Sequence, residues 1–287
     1  MIKVTKNLLK NIYRKRLPEI HKYDYGFLTI IGGSEFYSGS PALAAMAAFR
    51  SGVDMVQIIA PERAANIIAS FSPNLATYPL KNKWLTKTDL AVMLSMTKSA
   101  EIVAKGKTAV VIGGGVGRSK ETQETILEYL SQVSVPVVID ADAIHAVAKK
   151  PGILSGKDFL ITPHAYEFFV LTGKEVAGKT PKEKIKLVQQ EAKRFQTTIL
   201  LKGKTDIISD GKDFALDEAG SPFMSVGGTG DTLAGICGSL IAQGVRPFKA
   251  AQAAAYINGK AGQVASLKLK EGLTATDLIE AIPEVLH

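Results

Sequence analysis

The chain has 287 residues, long for one domain and short for two, and 46% of them are apolar against 22% charged, as in a globular protein with a sizeable buried core. Lys and Arg outnumber Asp and Glu by 35 to 27, a balance of +8 that suits nucleic acid, an anionic membrane or a phosphate-rich small molecule. No apolar run approaches the roughly 18 residues of a membrane span, the opening MIKVTKNLLKNIYRKR lacks a signal peptide's apolar core, and one cysteine excludes an internal disulfide or a Cys-cluster metal site.

Residues 1–25 read as a basic arm or helix on the outside of a single catalytic domain spanning 1–287. Aromatic residues are 7% of the chain and are not interleaved with the basic ones, so no nucleic-acid partner is expected, and no membrane partner either. A cytoplasmic protein is expected. Short apolar runs then follow one another at 27–31 (FLTII), 55–60 (MVQIIA), 108–112 (TAVVI), 135–139 (VPVVI), 159–161 (FLI) and 198–201 (TILL), with amphipathic or Ala-rich segments between them. Runs that are apolar throughout predict central strands buried on both faces, so the fold class is α/β, a mostly parallel sheet between layers of helices. In SPALAAMAAFRSG, Ser40 is placed to cap a helix, Pro41 to open it and Gly52 to follow its end. Asp210 and Gly211 predict a hairpin turn within 206–216, and 229–269 reads as helical. Cys237, in the apolar stretch TLAGICGSLIAQG, reads as a small buried thiol.

Four glycine-rich turns stand at strand ends or helix starts, where open α/β sheets bind ligands. Gly32-Gly33 and Gly113-Gly114-Gly115-Val116-Gly117 follow the first and third strands, the second without the spacing of a dinucleotide fingerprint. Gly173-Lys174-Glu175-Val176-Ala177-Gly178-Lys179-Thr180 fits the P-loop pattern, but no strand precedes it, so it reads as a helix-to-helix loop. Gly227-Gly228-Thr229-Gly230-Asp231 opens a helix, leaving backbone N–H groups unpaired at the positive end of its dipole, a phosphate-binding arrangement. That location predicts a depressed pKa for Asp231. Asp140 and Asp142 after VPVVI, His164 and Glu167 after FLI, and Lys202-Gly203-Lys204-Thr205 after TILL add charged groups to the same crevice.

In order, GGSEFYSGSPALAAMAAFRSG, VIGGGVG, VVIDADAI, LITPHAYEF, LLKG, SVGGTGDTLAGICGSLIAQG and AAYINGKAG resemble the NAD(P)H-hydrate dehydratase family of ribokinase-like fold. The resemblance implies repair of hydrated NADH or NADPH (NADHX and NADPHX), with ADP or ATP as co-substrate and Mg²⁺ accompanying its phosphates. It implies that Ala42, Gly117 and His164 contact the hydrated dinucleotide. Lys202, Gly203, Lys204, Thr205 and Asp206 would line the adenine nucleotide, with Gly228, Thr229 and Gly230 at its phosphates and Asp231 facing the hydroxyl that is phosphorylated. No residue is assigned to a metal of the protein's own. Family habit implies a homo-oligomer such as a tetramer, and the epimerase domain of fused members is not expected within these residues. The chain departs from the family's usual residues at Gly114 (Pro), Tyr166 (Gly) and His145 (Asn). The GGTGD motif alone also fits a small-molecule kinase of hydroxyethylthiazole type, which would leave a stable phosphorylated alcohol, or a nucleotide-binding sensor.

Overall fold

A computed structural model describes residues 2–286. The chain opens with a two-residue strand, β1 (Ile2–Lys3), and a short helix, α1 (Asn7–Ile12), before the first long strand, β2 (Phe27–Ile31). Helix and strand then alternate through α2 (Gly39–Arg50), β3 (Met55–Pro61), α3 (Glu62–Phe71), β4 (Ala76–Leu80), α4 (Leu90–Val103), β5 (Thr108–Ile112), α5 (Lys120–Gln132), β6 (Val137–Ile139), α6 (Asp142–Lys149) and β7 (Phe159–Ile161). Two helices in succession, α7 (Ala165–Thr172) and α8 (Pro181–Phe195), lead to β8 (Thr198–Leu201) and the hairpin of β9 (Asp206–Ser209) and β10 (Phe214–Asp217). Helices α9 (Thr229–Ala242), α10 (Pro247–Leu269) and α11 (Ala275–Val285) follow.

The strands form one sheet in the order β1-β10-β9-β8-β7-β6-β5-β2-β3-β4. From β4 to β8 every pairing is parallel, and β9 runs antiparallel to both β8 and β10. The strand order reverses between β2 and β5: the chain builds outward to β4, then returns to the other side of β2. Loops leaving such adjacent strands diverge to opposite sides of the sheet and open a crevice at their carboxyl ends.

Alternation along each strand divides the core. Leu28, Ile30 and Ile58 face one layer with α2, α3, α9, α10 and α11, whereas Ile31, Ile59 and Ile112 face the layer of α4 to α8. All five residues of β2 and of β5 are buried, as expected of strands covered on both sides. Small residues let one layer approach closely: a Cβ at Gly235 would collide with the Ala44 carbonyl oxygen, and one at Gly238 with Val111.

Most predicted elements are present, with adjustments of physical origin. Strand β6 begins at Val137 rather than at residue 135, because Pro136 has no N–H to give the ladder and supplies only its carbonyl, to the Val110 N–H at 2.9 Å. Gly211 turns the β9–β10 hairpin at φ +88° while Asp210 Oδ1 accepts from the Lys212 and Asp213 N–H groups. The P-loop-like stretch is a helix-to-helix loop: Gly173 ends α7 in the left-handed conformation, and Thr180 opens α8 with Glu183 in a capping box. One expectation about the elements fails. Helix α2 begins at Gly39 with Ser38 at its N-cap, so Ser40 lies inside the helix and its hydroxyl is free for another partner. Cys237 is fully buried, and burial pushes its thiol pKa up. Among the described residues no helix is long and apolar enough to cross a membrane.

Candidate active site

The turns that follow β2 and β5 lean on each other, the Gly33 N–H donating to the Gly114 carbonyl at 2.8 Å. The fit is tight. A Cβ at Gly114 would collide with Ser40 Oγ, and one at Gly113, whose φ is +130°, with the Asp140 carbonyl oxygen. Ser40, from the first turn of α2, donates its hydroxyl hydrogen bond to Asp231 Oδ1. Asp231 is the third residue of α9, and Gly228 precedes that helix at φ +98° without any side-chain cap. The N–H groups of the first turn are therefore left for a ligand. Asn258 of α10 steadies this helix start: its Nδ2 donates to the Thr229 carbonyl at 3.2 Å, and Thr232 Oγ1 donates to its Oδ1 at 2.7 Å.

Lys202, just beyond β8, ties the strand ends together. Its ammonium donates to Asp140 Oδ1 at 2.9 Å, lies 3.7 Å from Glu167 Oε2, and borders Gly230. Asp140 also accepts from Thr162 Oγ1 at 2.7 Å. Burial works to depress the Lys202 pKa, and the carboxylates of Asp140, Glu167 and Asp231 outweigh it, so the group is held above its ordinary value and charged. Next to it opens a cavity of about 670 Å³ lined by residues 202–206 on one side and by Thr229, Gly230, Met224 and Asn258 on others.

Asp231 departs from the expectation drawn from its helix position. Its pKa is pushed up to about 6, first by burial and then by Asp140 and Glu167, against the Ser40 hydroxyl and Lys202, which act to lower it. Desolvation among other carboxylates thus outweighs the helix terminus. The result is a carboxylate tuned toward neutral pH, better suited to accept a proton than an ordinary aspartate. Asp206, which accepts from the Gly203 N–H at 2.8 Å, is pushed up to about 7, mainly by burial and secondarily by Asp217 across the hairpin.

A carboxylate next to a glycine nest and a lysine that both line a nucleotide-sized cavity is an arrangement suited to phosphoryl transfer. Residues 28–284 match the sequence pattern of a family described as NAD(P)H-hydrate dehydratase. The chain belongs to the NAD(P)H-hydrate dehydratase family. It is 40% identical over 96% of its length to the bifunctional NAD(P)H-hydrate repair enzyme Nnr of Hyperthermus butylicus, of which it covers 51%. It is 36% identical over 99% of its length to the ADP-dependent (S)-NAD(P)H-hydrate dehydratase of Nitrosopumilus maritimus, covering 96% of that chain. It thus spans about half the length of the bifunctional relatives it matches. In fold it is similar to the ADP/ATP-dependent NAD(P)H-hydrate dehydratase of Bacillus subtilis co-crystallized with ATP/Mg²⁺, with a TM-score of 0.79, 24% identity and coverage of 99% of this chain and 97% of that one.

The residues expected of an NAD(P)H-hydrate dehydratase family member fall in different settings. Residues 202–206, Thr229 and Gly230 share the cavity wall, whereas Gly228 packs beneath it against Leu43 and Ala275. His164 caps α7, its Nδ1 accepting from the Tyr166 and Glu167 N–H groups at 3.2 and 3.3 Å. Gly117 sits at φ +82° under Trp84, its N–H donating to Asp142 Oδ2 at 3.0 Å. Ala42 is 1% exposed, within α2 behind Ser40. The structure adds contacts that sequence reasoning missed, Ser40 with Asp231 and Lys202 with Asp140, and one residue, Asn258. Only for Asn258 was a signal available, the polar interruption in AAYINGKAG. For Mg²⁺ the fit is of one kind: among the described residues no three acidic or imidazole side chains form a cage. An ion that travels with nucleotide phosphates takes phosphate and water oxygens and only one or two carboxylates; Asp140 and Glu167, both buried, meet Lys202 of the cavity wall.

Proposed function

We propose that the protein is an ADP-dependent (S)-NAD(P)H-hydrate dehydratase, a hydro-lyase that restores NADH and NADPH from their hydrates and releases AMP and phosphate. The observation that carries the reading is the Ser40–Asp231 pair at the uncapped start of α9, beside Lys202 and the cavity. The adenine nucleotide lies along residues 202–206, with its terminal phosphate on the N–H groups of Thr229 and Gly230. Asp231 orients the hydroxyl of the hydrated ring and takes its proton, while the hydroxyl oxygen bonds to the terminal phosphorus of ADP and the bond to the AMP oxygen breaks. Lys202 faces the charge that develops on the phosphoryl oxygens. Mg²⁺, held by the phosphates with Asp140 and Glu167 nearby, would add charge neutralisation.

Phosphorylation converts a poor leaving group into a good one. The carbon–oxygen bond then breaks with the electron pair leaving on phosphate, the ring-nitrogen lone pair fills the vacancy, and loss of a proton from the adjacent ring carbon restores the double bond. Atoms balance: the water removed from the ring is accounted for in AMP plus phosphate formed from ADP.

The test is to mix the protein with NADH hydrate and Mg²⁺, with either ADP or ATP, and to follow the return of NADH absorbance. Recovery with ADP, with equimolar AMP and phosphate, is expected. No recovery with either nucleotide overturns the reading, and accumulation of a stable phosphorylated alcohol would replace it by a kinase.

A further inference from the structure

The rim of the site beside His164 carries an aromatic cluster that the chemistry above does not use. Tyr166, in the first turn of α7, is 60% exposed. Its ring centroid lies 6.4 Å from that of His164 at an interplanar angle of 25°, 6.3 Å from His145 and 6.4 Å from Phe169. Three rings flank it, and its hydroxyl has no hydrogen-bond partner among the described residues. A large exposed ring held in place this way loses little freedom when another flat group stacks on it.

A second observation indicates which flat group. Arg118, next to Gly117, is anchored through Nε to Asp142 Oδ1 at 2.6 Å, and its terminal nitrogens make no hydrogen bond among the described residues. Its charge reaches His145, whose pKa burial first and Arg118 second hold below the ordinary value, which favours the neutral imidazole there. A stacking ring and a guanidinium fork thus both neighbour His145, the pair of groups that recognises a base joined to phosphates. The reacting ring must reach Asp231, at the bottom of the crevice between the β2 and β5 turns. The part of a dinucleotide left at the rim is then its adenosine and pyrophosphate.

This rests on the proposed dehydratase reading. We infer that Tyr166 is the stacking platform for the adenine of the hydrated dinucleotide and that Arg118 holds the neighbouring pyrophosphate, so that the site selects a dinucleotide hydrate over a mononucleotide hydrate.

The experiment compares the parental protein with Tyr166→Ala and Tyr166→Phe on two substrates, NADH hydrate and the hydrate of reduced nicotinamide mononucleotide. The Ala variant is expected to lower the ratio of the two kcat/KM values about tenfold through KM for the dinucleotide, and Phe to restore it. Thermal unfolding of both variants checks that the exposed position leaves the fold intact. An unchanged ratio overturns the inference. Direct titration with NADH and with reduced nicotinamide mononucleotide separates the two readings. If the parental protein turns over neither hydrate, the dehydratase reading fails, and the platform stands only if Tyr166→Ala weakens NADH binding about tenfold while sparing the mononucleotide. NADH binding unchanged in that variant removes the platform as well.

Discussion

Two cavities of about 670 Å³ open at opposite ends of the sheet. One lies at the carboxyl end of β8, against Lys202 and the start of α9. The other lies at the amino ends of β7 and β8, among Phe159, Thr198, Phe248, Arg246 and Lys249, with the β9–β10 turn along its edge. Volume does not distinguish them. At the carboxyl end, charged groups that follow three separate strands, Asp140, Glu167 and Lys202, meet one another, and a helix start without a cap faces the opening. At the amino end the cations and carboxylates stand apart: Lys157 is spent on the Leu130 and Ser131 carbonyls, and Asp210 on its own turn. Coupling among charges, not room, marks the chemical end of this sheet.

The sharpest way to break that comparison is Asp231→Asn. It should cost about 10³-fold in kcat while nucleotide binding, measured by calorimetry, persists. Equal loss of binding would mean that Asp231 holds the nucleotide instead. Next in size is Gly114→Ala. The added methyl collides with Ser40 Oγ, and displacement of the Ser40–Asp231 pair should lower kcat/KM about 10²-fold, with circular dichroism unchanged. Full activity would show that the two turns tolerate separation.

Lys202→Met tests the coupling itself. Leaving Asp140 and Glu167 buried without their cation should reduce the free energy of unfolding by about 3 kcal/mol in denaturant titrations. It should also move the acid limb of kcat/KM, expected near pH 6 from Asp231, to higher pH, because Lys202 is one of the groups that lowers the Asp231 pKa. A limb that stays in place would separate Lys202 from Asp231.

Asp206→Asn is a smaller effect with a defined sign. The folded-state pKa of about 7 exceeds the ordinary 3.8, so the protonated carboxyl contributes stability that is complete below about pH 4 and lost as pH rises through 7. The Asn variant keeps an acceptor for the Gly203 N–H and has no charge to desolvate. It should raise Tm by about 2 °C at pH 8 and leave it unchanged at pH 4; a gain at both would point to packing. Least of all, Lys249→Ala at the amino-end cavity should change activity by less than about twofold. A large loss there would end the asymmetry between the two ends.

The sheet is largely legible in the sequence because its central strands carry their burial in their own composition: FLTII, TAVVI and TILL can be nothing but covered on both sides. The edges are not. Strand β4, ATYPL, is half exposed and contains Pro79, and β1 is two residues whose pairing with β10 spans the chain. At the site, glycines and the acidic and basic residues were readable as candidates, since each has a local reason to stand at a strand end. What lay beyond reach was the pairwise contact. Ser40 has a local role on offer, as a cap, and only the packing of α2 on α9 gives it Asp231 instead. The Asp231 pKa shifted against the helix-terminus expectation for the same reason, because desolvation is a property of the assembled crevice.

The close approach of α2 to α9 has a bearing on natural variation. Gly235 lies one turn beyond Asp231 and presses on the Ala44 carbonyl, one turn beyond Ser40. The two side chains of the Ser40–Asp231 pair are thus carried on two rods packed closely together, with this approach one helical turn away. A population geneticist weighing alleles would file Gly235 under structure, since it touches no ligand. On the proposed function, a methyl there would pry the rods apart, displace the Ser40–Asp231 pair and register as lost activity.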